Sequence, residues 1–294
     1  MTGRATAPSS GWERLLSATH VIHPRNWVVV TVLVLAGVFM ILPFVWAVSV
    51  SLQPGSAAYS LPPNYIPLEP SLDSYRKLLD PDVSFLRAYF NSLLVAGLTT
   101  LGVVVTSSMA AFAFSRLEFR GRTVFFALIL MGLMIPPAFV LIPLFFMFAK
   151  ADILDTPWAL ILPAIISPLG IYMLRQFMLL QPKEYEESAL VEGAGYWLIF
   201  RKISLPQMGP AIASLAIIAF TFSWNNFLIP LVFVRSQDQM TLPLAIWDLS
   251  TRSEALNLSV MMAGVTLAIL PLFIVFLIAQ RFIVEGLSGT GLKG

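Results

Sequence analysis

Long apolar runs separated by short polar stretches dominate this chain from residue 27 onward. Six runs, at about 27–50, 90–114, 124–149, 158–174, 211–234 and 257–280, contain no Asp, Glu, Lys, Arg or His. A helix crosses a bilayer core of about 30 Å with roughly 20 apolar residues. The pattern therefore predicts an all-α membrane protein with six transmembrane helices. The third run carries Pro136, Pro137 and Pro143, and the fourth, the shortest, carries Pro163 and Pro168. Proline removes a backbone donor, which a membrane helix tolerates when neighbours re-satisfy the freed groups. These two spans are expected to be kinked or broken. The first run exceeds the 7–15 residues of a signal-peptide core. It reads as an uncleaved first helix, although Ser56-Ala57-Ala58 has the make-up of a cleavage site. The resulting division is a tail at 1–26, a six-helix domain at 27–280 and a second tail at 281–294.

Composition agrees with the pattern. The chain of 294 residues is 57% hydrophobic and 12% charged, against about 25% charged residues in soluble domains. With no cysteine, disulfides, thiol catalysis and cysteine-ligated metals are excluded. His20 and His23 both lie near the N-terminus, which argues against a histidine metal site or a Ser-His triad. A net charge of +2 gives no footing for nucleic acid.

The placement of charge says more than its sum. Lys and Arg favour cytoplasmic loops, and short loops obey the rule best. With both termini inside, Arg4, Arg14, Arg25, Arg116, Arg120, Arg122, Arg175, Lys183, Arg201, Lys202, Arg281 and Lys293 fall on the cytoplasmic side, 12 of the 18 basic residues. The short segment 115–123, with three arginines, weighs most. Both termini are predicted to be cytoplasmic.

Ion-coupled pumps place ionisable groups within the membrane, and many secondary transporters carry internal repeats. These spans contain no such groups and no evident repeat. The driving force is expected on another chain. The glycine-rich end, Gly286 to Gly294, does not supply it: Leu292 separates Gly291 from Lys293, whereas a phosphate loop needs Gly-Lys-Ser/Thr opening a helix.

The segment 175–210 between runs four and five is long and patterned. After Gln181-Pro182 comes Lys183-Glu184-Tyr185-Glu186-Glu187, with proline and acidic residues suited to a first helical turn. Gly193 and Gly195 predict a break, and Tyr196 to Pro206 predicts a second, short amphipathic helix at the membrane surface. On composition alone this is an interfacial connector with a charged face.

The spacing is more specific. Glu187-Ser188-Ala189, Glu192-Gly193-Ala194, Phe200, Ile203, Leu205-Pro206 and Pro210 resemble the Glu-Ala-Ala loop of ABC importer permeases. The usual form has Ala where Ser188 stands and Asp where Glu192 stands, conservative departures in size and charge. Asn91-Ser92, Ala111 to Arg116, Phe119 to Arg122, Trp224 to Phe227, Pro230-Leu231 and the end from Gln280 resemble the maltose-type branch. That branch often has an acidic residue where Asn226 stands. The resemblance runs from about residue 27 to the end and fits the shorter of two paired permeases.

The resemblance implies a type I ABC importer permease fold in a bacterial or archaeal plasma membrane. It implies a second permease subunit, two ATP-binding cassette subunits and an extracytoplasmic solute-binding protein as partners. ATP and magnesium would sit on the ATPase subunits, with no cofactor on this chain. The 184–195 helix would dock on an ATPase, with Glu187 pairing a basic residue there and Gly193 allowing the turn and close approach. Ser188, Ala189, Glu192, Ala194, Leu205 and Pro206 complete the candidate coupling loop.

Thr221, Ser223, Trp224, Asn225 and Asn226 combine polar and aromatic groups within run five. They are candidates to line a sugar pathway, or to bond to neighbouring helices. The outer segment 51–89 is either a contact for the binding protein or a packed cap. A neutral di- or oligosaccharide is the expected cargo, with a polyol, an amino sugar or glycerol 3-phosphate as alternatives on the same machinery. A stand-alone carrier or facilitator is the rival of another class, and it leaves the loop pattern unexplained. A membrane enzyme has no carboxylate pair or nucleophile motif at the span ends to support it.

Overall fold

The computed structural model describes residues 27–54, 65–67, 69–80, 83–252 and 258–288. The tail at 1–26 with its histidines, the stretch with Ser56, Tyr59 and Pro62-Pro63, and the end at 289–294 lie outside the described residues. Every regular element among the described residues is helical. In chain order they are α1 (Trp27–Ser51), α2 (Asp73–Leu78), α3 (Phe85–Arg116), α4 (Arg122–Met131), α5 (Pro137–Lys150), α6 (Pro157–Ile161) and α7 (Pro168–Leu179). Then follow α8 (Glu184–Val191), α9 (Tyr196–Ile199), α10 (Leu205–Gln207), α11 (Gly209–Trp224), α12 (Leu228–Phe233), α13 (Leu242–Arg252) and α14 (Leu258–Ser288).

Helices α1, α3 and α14 are long and apolar enough to cross a membrane. The 32-residue α3 is the central post. It packs against α7 and α11, while α14 bridges α11 to α1. Helix α1 is apolar all round, and only its last turns are buried. That distribution suits a helix whose other faces meet lipid. Helix α14 runs on to Ser288, into the segment expected as a tail.

The proline-rich runs are broken as expected. A 3-10 turn at Gly132–Met134 ends the α4 segment, and Pro136-Pro137 starts α5 at a bend of 102°. The fourth run splits into α6 and α7 around residues 162–167. That gap is held by α3: the Thr106 hydroxyl donates to the Ile165 carbonyl at 2.5 Å. Gly102 lets the strands of backbone approach, since a Cβ there would stand 2.5 Å from Ile165 Cγ2. Small residues and interhelical hydroxyl bonds are how membrane helices pack closely without stranding polar backbone.

The fifth run differs from the expected continuous span. It is interrupted between α11 and α12 at residues 225–227. The cause is the pair of asparagines. Asn225 Nδ2 donates to the Thr221 carbonyl at 2.9 Å, and Asn226 Oδ1 accepts from the Ile229 backbone N–H at 3.2 Å. Short amide side chains compete with helical backbone bonding. Here one closes α11 and the other serves the free donors at the start of α12.

At the end of α1 and in the segment after it, Ser49 Oγ donates to the Tyr65 carbonyl at 2.6 Å, and the Ser51 hydroxyl meets the Tyr75 hydroxyl at 2.8 Å. Leu78 is fully buried with Phe85, Val260 and Ala263. The described part, α2 above all, therefore packs as a cap on α14.

Candidate functional site

The patterned loop folds as two helical pieces that pack on the bundle. Helix α8 ends in a Schellman motif. Gly193 has φ +87°, its N–H donates to the Leu190 carbonyl at 3.0 Å, and the Ala194 N–H donates to the Ala189 carbonyl at 2.9 Å. This motif wants a left-handed residue and an apolar contact between the residues that flank it. Gly193 supplies the first. Ala189 and Ala194 supply the second, both packing on the core cluster around Leu174, Phe200 and Met208. A Cβ on Gly193 would touch nothing within 4 Å, so the turn itself requires glycine here, not crowding within the chain.

The second piece starts at Tyr196 and passes through a π turn at Phe200–Ser204 into Leu205-Pro206. Within that turn the Leu205 N–H bonds back to Phe200. Phe200, buried, stacks at a tilt on Phe112 of α3 with centroids 5.3 Å apart. Leu205 is part-buried on the same cluster, and Pro206 is exposed. At Met208 the chain turns by 78° into α11.

The loop's main tether was not legible in the pattern. Glu186, read only as a first-turn acid, is buried. Its Oε2 lies 2.6 Å from Arg116 Nε at the end of α3, with side-chain exposures of 11% and 4%. This is ionic contact off the line of a hydrogen bond, since Nε and Nη1 of Arg116 make none. The Ser204 hydroxyl donates to Glu186 Oε1 at 2.8 Å, and Arg116 Nη2 donates to the Gln181 carbonyl at 3.1 Å. Arg116 therefore grips the first half-loop at Gln181 and again at the first turn of α8. The positive-inside pattern had recorded Arg116 as a topology charge. Its burial is a tertiary fact.

What remains outward is most of the circumference of α8, a mixed surface. Glu187 and Ser188 are exposed, with the Ser188 hydroxyl on the Glu184 carbonyl at 2.8 Å. Tyr185 and Leu190 are exposed, Val191 is 90% exposed, and Glu192 follows.

Deeper in the bundle, a cavity of about 240 Å³ opens between α3, the α6–α7 gap, α11 and α12. Ser223 and Asn226 line it with Thr99, Ser167 and Thr241 among apolar neighbours such as Val95 and Phe222. The Thr99 and Thr241 hydroxyls are buried without a hydrogen-bond partner. A second hollow, of about 710 Å³, is lined by Thr221, Asn225, Asn226, Pro137 and Val140. Phe222 and Asn226 border both hollows. Trp224 turns the other way. It is 2% exposed, stacks on Phe220 at 5.7 Å, and donates from Nε1 to the Ala268 carbonyl of α14 at 3.1 Å. Its indole binds α11 to α14. Thr99 and Thr241 had no motif to mark them in sequence.

Residues 102–289 match the family of binding-protein-dependent transport system inner membrane components. The chain belongs to that family. It is a multi-pass inner-membrane permease. An arabinooligosaccharide transport system permease protein of Halalkalibacterium halodurans is 39% identical over 204 residues, 69% of this chain and 73% of that one. The trehalose transport system permease of Mycobacterium tuberculosis is 33% identical over 91% of this chain and 97% of its own. A trehalose/maltose permease of Thermococcus litoralis is 31% identical over 89% and 94%. The permease also superposes on a chain of a bacterial ABC transporter that imports the acidic polysaccharide alginate. That match has a TM-score of 0.77 at 20% identity, covering 94% of this chain and 99% of that one. The likeness shows a shared fold. The Glu-Ala-Ala pattern and the helix it folds into lie inside the family match.

Proposed function

We propose that this permease carries a neutral sugar, a di- or oligosaccharide, inward, driven by ATP hydrolysis on other chains. Its partners are a second permease, two ATP-binding cassette subunits holding ATP and magnesium, and an extracytoplasmic solute-binding protein. The chain crosses the membrane six times with both termini cytoplasmic: α1, α3, the α4–α5 pair, the α6–α7 pair, the α11–α12 pair and α14. The observation that carries the reading is the loop itself. A short helix is capped at its end, anchored by a buried ion pair, and leaves Tyr185, Glu187, Leu190 and Val191 facing outward. A stiff helix with a mixed exposed surface is suited to a groove on an ATPase and to passing on its closure as a rigid body.

The sugar rests on the substrates named for the relatives and on cavities that carry Ser, Thr and Asn among apolar residues, without charge. In this reading Thr221, Ser223, Asn225 and Asn226 line the pathway. Trp224 supports them from the core.

The test is uptake of labelled trehalose, maltose, lactose and arabinotriose by vesicles holding the whole complex. Glu187→Lys and Gly193→Asp each abolish uptake of whichever sugar the native complex takes up, while the subunits still co-purify. Normal uptake by both variants rules out the docking role, and ATP-independent uptake by the single chain favours a stand-alone carrier.

A further inference from the structure

We infer that Arg116 and Glu186 form a strut making α3 part of the moving unit, so that force on α8 reaches the central helix directly. The connectivity of the chain alone offers only α7 and α11, the helices on either side of the loop, as recipients. The buried pair adds a third route. Glu186 belongs to the first turn of α8, Arg116 to the last turn of α3, and Ser204 to the far half of the loop. One carboxylate thus joins three segments. The Gln181 carbonyl, accepting from Arg116, closes the frame just before α8 starts. The remaining contact between the loop and α3 is apolar, through Phe112 and Phe200. Apolar contact resists separation and tolerates sliding. A buried charge pair resists both, because either partner alone would be left uncompensated away from water.

The same helix lines the cavity with Val95, Thr99 and Val103, one turn apart on one face. A displacement of α8 carried by the strut would move that wall. The inference rests on α8 being the ATPase dock. It assigns Glu186 and Arg116 as positioning residues for coupling. Glu187, next in sequence, is exposed and belongs to the docking surface.

The chain has no native cysteine, so paired spin labels can be placed cleanly. Labels at Arg120→Cys, just past α3, and Lys183→Cys, just before α8 and outside the docking face, report the distance across the strut in the assembled complex. In the otherwise native complex the distribution stays narrow and unchanged with and without ATP. Glu186→Gln keeps an acceptor for Ser204 and removes the charge. It broadens the distribution, leaves ATP hydrolysis running, and lowers sugar uptake per ATP hydrolysed at least tenfold. The charge swap Arg116→Glu with Glu186→Arg restores part of that ratio, which a mere packing defect would not allow. A wild-type distance that shifts during the cycle, or a Glu186→Gln complex with native uptake per ATP, overturns the strut. Failure of the docking reading shows separately: a crosslinker on Val191→Cys then captures no ATPase subunit.

Discussion

The two ends of the bundle are fastened by different physics. At the loop end, Arg116 and Glu186 meet almost wholly out of solvent, across 70 positions of sequence. At the opposite end the Leu242 N–H donates to the buried Ser92 hydroxyl at 2.7 Å, but the charged fastenings are more open to solvent. Arg87 at the start of α3 pairs with Asp238, with side-chain exposures of 66% and 62%. Asp155, at φ +60°, holds the next turn: its Oδ1 accepts from the Arg235 and Ser236 N–H groups at 2.9 and 3.0 Å. A buried pair is costly to break once formed, whereas exposed pairs exchange readily with water and ions. The loop end is thus held by an ion pair closed to solvent, and the far end by an ion pair open to it.

The largest expected effect breaks the strut. Arg116→Ala leaves Glu186 buried without its counter-charge, and should lower stability by about 3–5 kcal/mol. Thermal unfolding of the purified complex in detergent measures it. A loss no greater than that of an exposed pair would erase the contrast between the two ends.

A smaller effect separates the ends by pH. Burial acts to raise the Asp155 pKa, but the N–H groups of Ser236 and Arg235, the Ser236 hydroxyl and the Arg235 charge outweigh it and hold the carboxyl below its ordinary value. A carboxyl depressed in the folded state adds stability above its unfolded pKa, near 3.8. That stability is lost as pH falls through the lower folded value. Asp155→Asn should therefore lower stability at neutral pH, and the gap to the native protein should close in acid. Parallel acid profiles for the two proteins would show that Asp155 carries no such linkage.

The smallest effect belongs to Arg87→Ala. An exposed pair is worth about 0–1 kcal/mol and fades with salt. The difference in melting from the native protein should vanish at high ionic strength. A salt-resistant loss would mean that the far end is fastened more firmly than its exposure implies.

Much of this molecule was legible in its residues. Uninterrupted apolar runs predicted helices at α1, α3 and α14, because a span must hide its backbone and its length follows from the bilayer. Pro136-Pro137 and Pro163 marked two breaks, since proline removes a donor wherever it falls. The spacing of Ala189, Gly193 and Ala194 encoded a helix and its cap, which involve only neighbours in sequence.

The residue pattern missed which bond a polar side chain chooses, whether its partner is a turn away or far along the chain. Asn225 and Asn226 looked like polar residues inside a span, and their bonds to Thr221 and Ile229 turn out to end one helix and begin another. For Trp224 the pattern left open a sugar pathway or a bond to a neighbouring helix, and its indole donates to Ala268 of α14, 44 residues away. Among three acids in one helical turn, nothing local distinguishes Glu186 from Glu184 or Glu187. Sequence alone determined that α8 exists, where it stops and that its first turn is acidic, because those are short-range consequences of propensity and capping. Only the tertiary structure decided which acid turns inward, because that choice depends on where α3 ends and on the buried arginine waiting there.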